Sequence, residues 1–295
     1  MTLHLLFKLL LAGLGISLLA YFILCLAILI GQNRLIFLPE AKLEKTPADI
    51  GLEYEEVWIG VRTWTGKTER VHGWWIPGAR GDRQVMLYLH GNGGNISYNL
   101  APVQAFHRLG FSTLVFDYRG YGRSEGAFPT EAEVYRDAGA VWDYLVKIRG
   151  IEPENIFLYG HSLGGAVAID LAVRQPRAAG VITDGTFTSM RAIVDRMPVY
   201  RLFPADLLLT QHFDSLSKLR ILRVPLLLIH GTEDRAVPAT MSQVLYDKAT
   251  VSKQLLMIEG AGHNDLISIG GKTYLDALES FTRAARSLPR SHVKP

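Results

Sequence analysis

Six short, almost wholly apolar runs recur along this chain, each followed by a polar turn or a stretch with helical periodicity. No other feature narrows its folding options as far. The runs occupy residues 85–89, 112–116, 155–159, 180–183, 224–229 and 254–258, and helical patterns cover 98–109, 130–148, 165–174, 239–249 and 272–286. A strand that is apolar on both faces must be covered on both. The alternation therefore predicts an α/β fold, a mostly parallel twisted sheet with helices on both faces. Ahead of it, β-rich runs at 54–61 and 71–76 flank the turn-prone Thr65-Gly66-Lys67 and predict an antiparallel hairpin. Sheets of this kind carry their chemistry in the loops at the carboxyl ends of the strands.

Residues 9–30 hold no charged side chain. As a helix these roughly 22 residues extend about 33 Å, slightly beyond the hydrocarbon core of a bilayer. A core helix normally shows a polar stripe, and here Ser17 is the one conspicuous polar residue. The run exceeds the apolar region of a signal peptide, about 7–15 residues, and no A-x-A site follows it. Leu24 before Cys25 is too bulky for lipoprotein-type cleavage. The expectation is a single-pass transmembrane anchor over 1–32, a juxtamembrane linker over 33–51 with Pro39 and Pro47, a catalytic domain over 52–286 and a tail over 287–295. Lys8 flanks one side of the run and Arg34, Lys42 and Lys45 the other, so positive-inside counting leans towards a cytoplasmic catalytic domain. Composition mostly excludes: 48% hydrophobic and 20% charged residues describe a globular chain, and a net charge of +3 without a basic, aromatic-rich run gives no argument for nucleic acid. With Cys25 as the only cysteine, an intrachain disulfide and a thiolate zinc site are both ruled out.

Two G-x-S-x-G matches compete for a nucleophile, Gly160-His161-Ser162-Leu163-Gly164 and Gly122-Arg123-Ser124-Glu125-Gly126. The chemistry needs a serine on a sharp strand-to-helix turn, where glycines two residues away on either side avoid collision. Ser162 follows a strand directly and opens a helix. Ser124 is separated from its strand by the turn residues 118–122, and Pro129 follows before any helix can begin. Ser162 is the candidate nucleophile. A helix N-terminus beneath it favours negative charge, which makes the backbone N–H of Leu163 the first candidate oxyanion donor.

A serine hydroxyl needs a base, and histidine has the right proton affinity. His90, His161 and His230 directly precede Gly or Ser at strand ends and read as structural turn residues. His263, in Gly260-Ala261-Gly262-His263-Asn264-Asp265 after the last strand, is the candidate base. The acid that orients it is Asp234 in Gly231-Thr232-Glu233-Asp234, with Asp184 as the rival. The glycine-rich His90-Gly91-Asn92-Gly93-Gly94-Asn95 offers a second oxyanion donor, the N–H of Asn92; a plain glycine turn is the alternative. A phosphate loop would want a following Lys-Ser or Lys-Thr, and no G-x-G-x-x-G opens a helix after a strand, so no cofactor is implied.

Taken together, His90-Gly91-Asn92-Gly93, Asp117-Tyr118-Arg119-Gly120-Tyr121-Gly122-Arg123-Ser124, Gly160-His161-Ser162-Leu163-Gly164-Gly165, His230-Gly231-Thr232-Glu233-Asp234 and Gly262-His263 resemble the α/β-hydrolase superfamily, over roughly residues 34–286. In that family the 117–124 stretch is a shaping loop, which agrees with setting Ser124 aside. Arg34-Leu35-Ile36-Phe37-Leu38-Pro39 after an apolar helix resembles a membrane-anchored branch that includes depalmitoylating thioesterases and lipid esterases. The resemblance implies cofactor-free hydrolysis of esters, thioesters or amides through an acyl-enzyme. It leaves the substrate open.

Any cap over the site must come from 187–222. Its Met197-Pro198-Val199-Tyr200 and Leu207-Leu208-Leu209 clusters are candidates for lining an acyl pocket, and Arg191, Arg196 and Arg201 for meeting anionic headgroups; a helical excursion with a solvated charged face reads equally well. The expected partners are the lipid bilayer and a small acyl ester or lipidated substrate. Two other readings stand beside a serine esterase: a serine peptidase on the same triad, and a non-catalytic membrane scaffold.

Overall fold

The computed structural model describes residues 3–79 and 84–287, so 288–295 of the expected tail lie outside the described residues. The central sheet has strands β1 (Glu55–Arg62), β2 (Thr68–Ile76), β3 (Val85–Leu89), β4 (Ser112–Phe116), β5 (Ile156–His161), β6 (Gly180–Asp184), β7 (Leu226–Gly231) and β8 (Lys253–Ile258). They lie side by side in the order β8-β7-β6-β5-β3-β4-β2-β1, parallel from β8 to β4 and antiparallel at β4–β2 and β2–β1. The predicted hairpin is thus the antiparallel edge of a parallel sheet.

Helices α2 (Leu100–Arg108), α3 (Glu131–Asp143), α4 (Leu163–Arg174), α8 (Ala239–Lys248) and α9 (Leu266–Ser287) cover both faces. The period of two along β3 shows the division. Val85, Leu87 and Leu89 join Val134 of α3, Val167 of α4 and Leu245 of α8, whereas Met86 and Tyr88 join Phe106 of α2 and Tyr274 of α9. Each such side chain, fully withdrawn from water, contributes about 1.5–3 kcal/mol, which is why the strands read as unbroken apolar runs. The pattern at 130–148 resolves into α3, started by a reciprocal Thr130–Glu133 capping box, and a π-turn over Tyr144–Ile148. Helix α9 begins six residues before its amphipathic pattern does, across a break at Gly271.

Between β6 and β7 the chain makes an excursion with three short helices, α5 (Met190–Val194), α6 (Ala205–Leu208) and α7 (Ser215–Lys218). It lies over the carboxyl ends of the strands and is called the cap below.

Helix α1 (Leu3–Ile36) is long and apolar enough to cross a membrane, and Gln32 is its one buried residue among those described. It runs four residues past the boundary expected at residue 32. The stretch expected as a linker is pinned down: Phe37 is fully buried, and Leu38–Pro39 pairs in parallel with Gly93–Gly94. An apolar Phe37 with a core to enter gives this segment the burial energy that a free linker lacks.

Candidate active site

Ser162 sits where β5 turns into α4, with φ 53° and ψ −119°, a backbone conformation that costs a non-glycine residue about 1–3 kcal/mol. The neighbourhood enforces it. Ser162 N–H donates to Asp184 O (2.8 Å), and its carbonyl accepts from Gly165 N (2.9 Å) and Thr186 Oγ1 (2.9 Å). A Cβ on Gly160 would lie 2.1 Å from Gly164 O, and one on Gly164 would lie 2.0 Å from Leu89 O. Both contacts are with backbone that cannot give way, so the flanking glycines are a packing requirement.

The hydroxyl of Ser162 lies 3.0 Å from His263 Nε2, and His263 Nδ1 lies 2.6 Å from Asp234 Oδ2. Four donors surround that carboxylate. Ala236 N (2.9 Å) and Val237 N (2.8 Å) bond Oδ1, while His230 Nε2 stands 3.2 Å from Oδ2 beside His263. Burial raises the Asp234 pKa, but the His230, His263 and Val237 hydrogen bonds outweigh it and hold the carboxyl well below the usual range. Gly185, at φ +61°, floors this pair: a Cβ there would stand 3.2 Å from His263 Nδ1. The rival acid Asp184 faces elsewhere, bonding Tyr159 Oη (2.6 Å), Tyr274 Oη (3.1 Å) and His161 Nδ1 (3.1 Å). Glu233 is exposed. Ser124 is a turn residue that donates to Asp117 O (2.7 Å) and accepts from His72 N (2.8 Å).

The amides of Leu163 and Asn92 have no acceptor among the described residues. Leu163 is the first residue of α4, where N–H groups are orphaned by the helix geometry. His90 Nδ1 lies 2.7 Å from Gly91 O, on the same peptide as the Asn92 N–H. Burial pushes His90 down to about 4, so the ring is neutral and donates through Nδ1. A trans peptide points N–H away from C=O, so drawing the Gly91 carbonyl into the core turns the Asn92 N–H outward.

The three histidines read as turn residues differ. His90 orients the glycine loop, and His230 supports Asp234. His161 is corrected to a wall of the site: its ring centroid lies 5.0 Å from that of His263, and its Nε2 lies 3.3 Å from Asn264 Oδ1. Burial works against a charged His161, but the Asp184 carboxylate on Nδ1 prevails and raises its pKa. All three precede Gly or Ser after a strand, so local sequence held no signal to tell them apart.

Two cavities meet at Ser162 and His263. One, of about 370 Å³, is bounded by apolar cap side chains such as Met197 and Phe203 and by Ile28, Gln32 and Leu35 of α1. The other, of about 540 Å³, is edged by Glu40, Tyr98, His161 and Asn264. The part played by α1 went unread in the sequence.

A family model described as serine aminopeptidase, S33, matches residues 81–211. An uncharacterised protein of Mycobacterium tuberculosis is 35% identical over 251 residues, which span 85% of this chain and 86% of that protein. Human alpha/beta hydrolase domain-containing protein 17B is 32% identical over 225 residues, 74% of this chain and 73% of that protein. The chain belongs to the α/β-hydrolase superfamily. Among solved structures, a Pyrococcus furiosus esterase superposes on this α/β hydrolase with a TM-score of 0.70, covering 84% of this chain and 98% of that one at 20% identity, a likeness of fold. An α/β hydrolase from Vibrio vulnificus is 25% identical with a TM-score of 0.62, over 79% of this chain and 82% of that one. The fold expected from the motifs is the fold observed, and hydrolysis is the class of reaction that this membership supports.

Proposed function

We propose that this α/β hydrolase cleaves carboxylic ester or thioester bonds of acyl substrates at a membrane, through an acyl-enzyme on Ser162. The observation that carries the reading is the unbroken Ser162–His263–Asp234 hydrogen-bond chain, 3.0 and 2.6 Å, at the floor of an apolar cavity. His263 Nε2 takes the proton of Ser162 Oγ as the oxygen attacks the carbonyl carbon, and Asp234 stabilises the imidazolium. The Leu163 and Asn92 amides receive the oxyanion, each worth about 3 kcal/mol. His263 then protonates the departing alcohol or thiol, and water repeats the sequence on the acyl-enzyme. The apolar cavity suits the acyl chain and the more polar one the leaving group. Helix α1 anchors the enzyme, and the positive charges that follow it favour a cytoplasmic catalytic domain.

A fluorophosphonate probe tests the chemistry on the full chain: wild type and Ser124→Ala label, and Ser162→Ala does not. Labelling that survives in Ser162→Ala and disappears in Ser124→Ala refutes the assignment. An unlabelled wild type leaves the scaffold reading. The family model's description favours amide cleavage as a second reading. Comparing p-nitrophenyl esters with an aminoacyl p-nitroanilide separates the two, and faster turnover of the anilide would replace the ester reading.

A further inference from the structure

The apolar cavity is built only in part by the catalytic domain. Ile28, Gln32 and Leu35 of α1 form one wall, and Met197, Phe203 and Leu208 of the cap form the opposite one. The two are fastened together at two heights. Gln32 Nε2 donates to Leu208 O (3.1 Å) and Gln32 Oε1 accepts from Thr210 N (2.9 Å), while farther along the helix Tyr21 Oη donates to Leu202 O (2.9 Å). The Tyr21 ring also stacks on Phe203, centroids 5.8 Å apart and planes 2° from parallel. The eleven residues from Tyr21 to Gln32 span about 16 Å of helix, so the cap runs beside α1 over that distance.

If the hydrocarbon core begins after Lys8 and takes about 20 residues, Tyr21 lies about 10 Å inside its far edge. Interfacial elements insert to about that depth, 5–10 Å. The outward side chains of the cap suit such a place: Val199, Leu202 and Leu207 are 59%, 70% and 80% exposed, too much bare apolar surface for water beside a helix that itself enters lipid. The cap's charges are confined or able to snorkel. Arg191 is paired with Asp195 and Asp206, Arg201 bonds Asp195 O (3.2 Å), and Arg196 is exposed with a stem long enough to reach a phosphate.

We propose that the cap is inserted in the leaflet and that the acyl pocket is the cleft between it and α1, so a substrate's acyl chain passes from the bilayer to Ser162 without crossing water. The proposal rests on the esterase reading above. Ile36 O accepts from Asn92 Nδ2 (2.8 Å), which places the C-terminal end of α1 at the catalytic loop. Ile28 lies eight residues back, about 12 Å deeper along the chain's path. Bulk at position 28 shortens the pocket at its far end and leaves the catalytic end untouched.

Two measurements on the full chain in phosphatidylcholine vesicles test this. Leu207→Trp adds a tryptophan whose emission, relative to wild type, is quenched by lipids brominated on their acyl chains; quenching by aqueous iodide alone overturns leaflet insertion. Ile28→Trp lowers kcat/KM for p-nitrophenyl palmitate at least tenfold more than for p-nitrophenyl acetate, and Ile30→Trp, on the exposed side of the same helix and away from the cavity, changes neither. An unchanged chain-length profile, or equal loss on both esters, overturns the α1 wall. Fluorophosphonate labelling of the same variants separates the failures: a labelled enzyme with an unchanged profile refutes this proposal alone, whereas an unlabelled wild type refutes the esterase reading beneath it.

Discussion

Replacing Asp234 with asparagine tests the proposed triad at the point where the structure dictates the outcome. All four neighbours of the carboxylate are donors: two backbone amides on Oδ1, from Ala236 and Val237, and two imidazoles on Oδ2, from His263 and His230. An asparagine must set its NH₂ against one of these pairs. The backbone amides cannot become acceptors, so the NH₂ takes the Oδ2 side. His230 Nε2 also faces Val237 O (2.9 Å), which keeps its proton there. The group that yields is His263, whose Nδ1 becomes the acceptor and whose proton moves to Nε2, the atom 3.0 Å from Ser162 Oγ. A protonated Nε2 cannot take the serine proton. An inversion of this kind costs on the order of 10⁴ in kcat, about 5.4 kcal/mol at 1.36 kcal/mol per tenfold, with KM little changed. Steady-state hydrolysis of p-nitrophenyl octanoate by the full chain, with the rate of fluorophosphonate labelling, measures it. Asp184→Asn is the control and falls less than tenfold, because Asp184 bonds His161 instead of His263. A kcat for Asp234→Asn within tenfold of wild type, or a larger loss in Asp184→Asn, refutes the tautomer argument.

Gly185→Ala forces an L-residue to φ +61° and puts a methyl 3.2–3.3 Å from the His263 ring; kcat falls roughly 10²-fold while the melting temperature drops only a few degrees, checked by kinetics and calorimetry on one preparation. Arg119→Met strands the buried Asp137, otherwise held at 2.6 Å, and costs about 3–5 kcal/mol in urea unfolding, most of it recovered by adding Asp137→Leu. Buried His72 hydrogen-bonds nothing through its ring among the described residues, and burial, opposed only in part by Glu56 3.8 Å from Nε2, lowers it from 6.5 to about 4. The unfolded chain therefore binds the extra proton between those values, and stability falls as pH drops from 6.5 towards 4. His72→Phe removes that part of the acid sensitivity, so its melting temperature declines less than that of wild type over the same titration.

What was legible in the sequence is what depends on near neighbours. The strands on both sides of Ser162 are apolar because they are covered on both faces, and the elbow glycines are spaced by a local steric rule, so both could be read without coordinates. The choice of Asp234 over Asp184 as the partner of His263 rested on its Gly231-Thr232-Glu233-Asp234 turn after a strand, since chain order leaves both between Ser162 and His263. In the structure Asp184 ends β6 and bonds His161, whereas Asp234, three residues beyond the end of β7, turns to His263. Gln32, just past the apolar run, drew no reading from the sequence. Its meaning lies in contacts with Leu208 and Thr210, 176 and 178 residues away, which no local pattern encodes. Phe37 was placed in a linker for the same reason, since the core it enters includes partners far along the chain such as Phe213, ring centroids 6.1 Å away.

The segment leaving α1 ties that long apolar helix to the proposed chemistry as well as to the pocket. Asn92 O accepts from Leu38 N (2.8 Å) and Tyr121 Oη (2.6 Å), Asn92 Nδ2 donates to Ile36 O (2.8 Å), and His90 holds the preceding carbonyl (2.7 Å). These four bonds fix the peptides on both sides of the proposed oxyanion donor, and two of them reach Ile36, the last residue of α1, and Leu38 just after it. Leu38→Pro deletes one donor and retains the extended backbone that proline tolerates. Tyr121 still bonds Asn92 O, so the donor is loosened and not lost, and the fall in kcat stays below the ~100-fold that removing an oxyanion donor brings. The loss is the same for acetate and palmitate esters, since the oxyanion forms in both, whereas Ile28→Trp discriminates by chain length. A length-dependent loss in Leu38→Pro, or none at all, would mean that the glycine loop holds its shape without the segment leaving α1, and α1 would then serve the pocket alone.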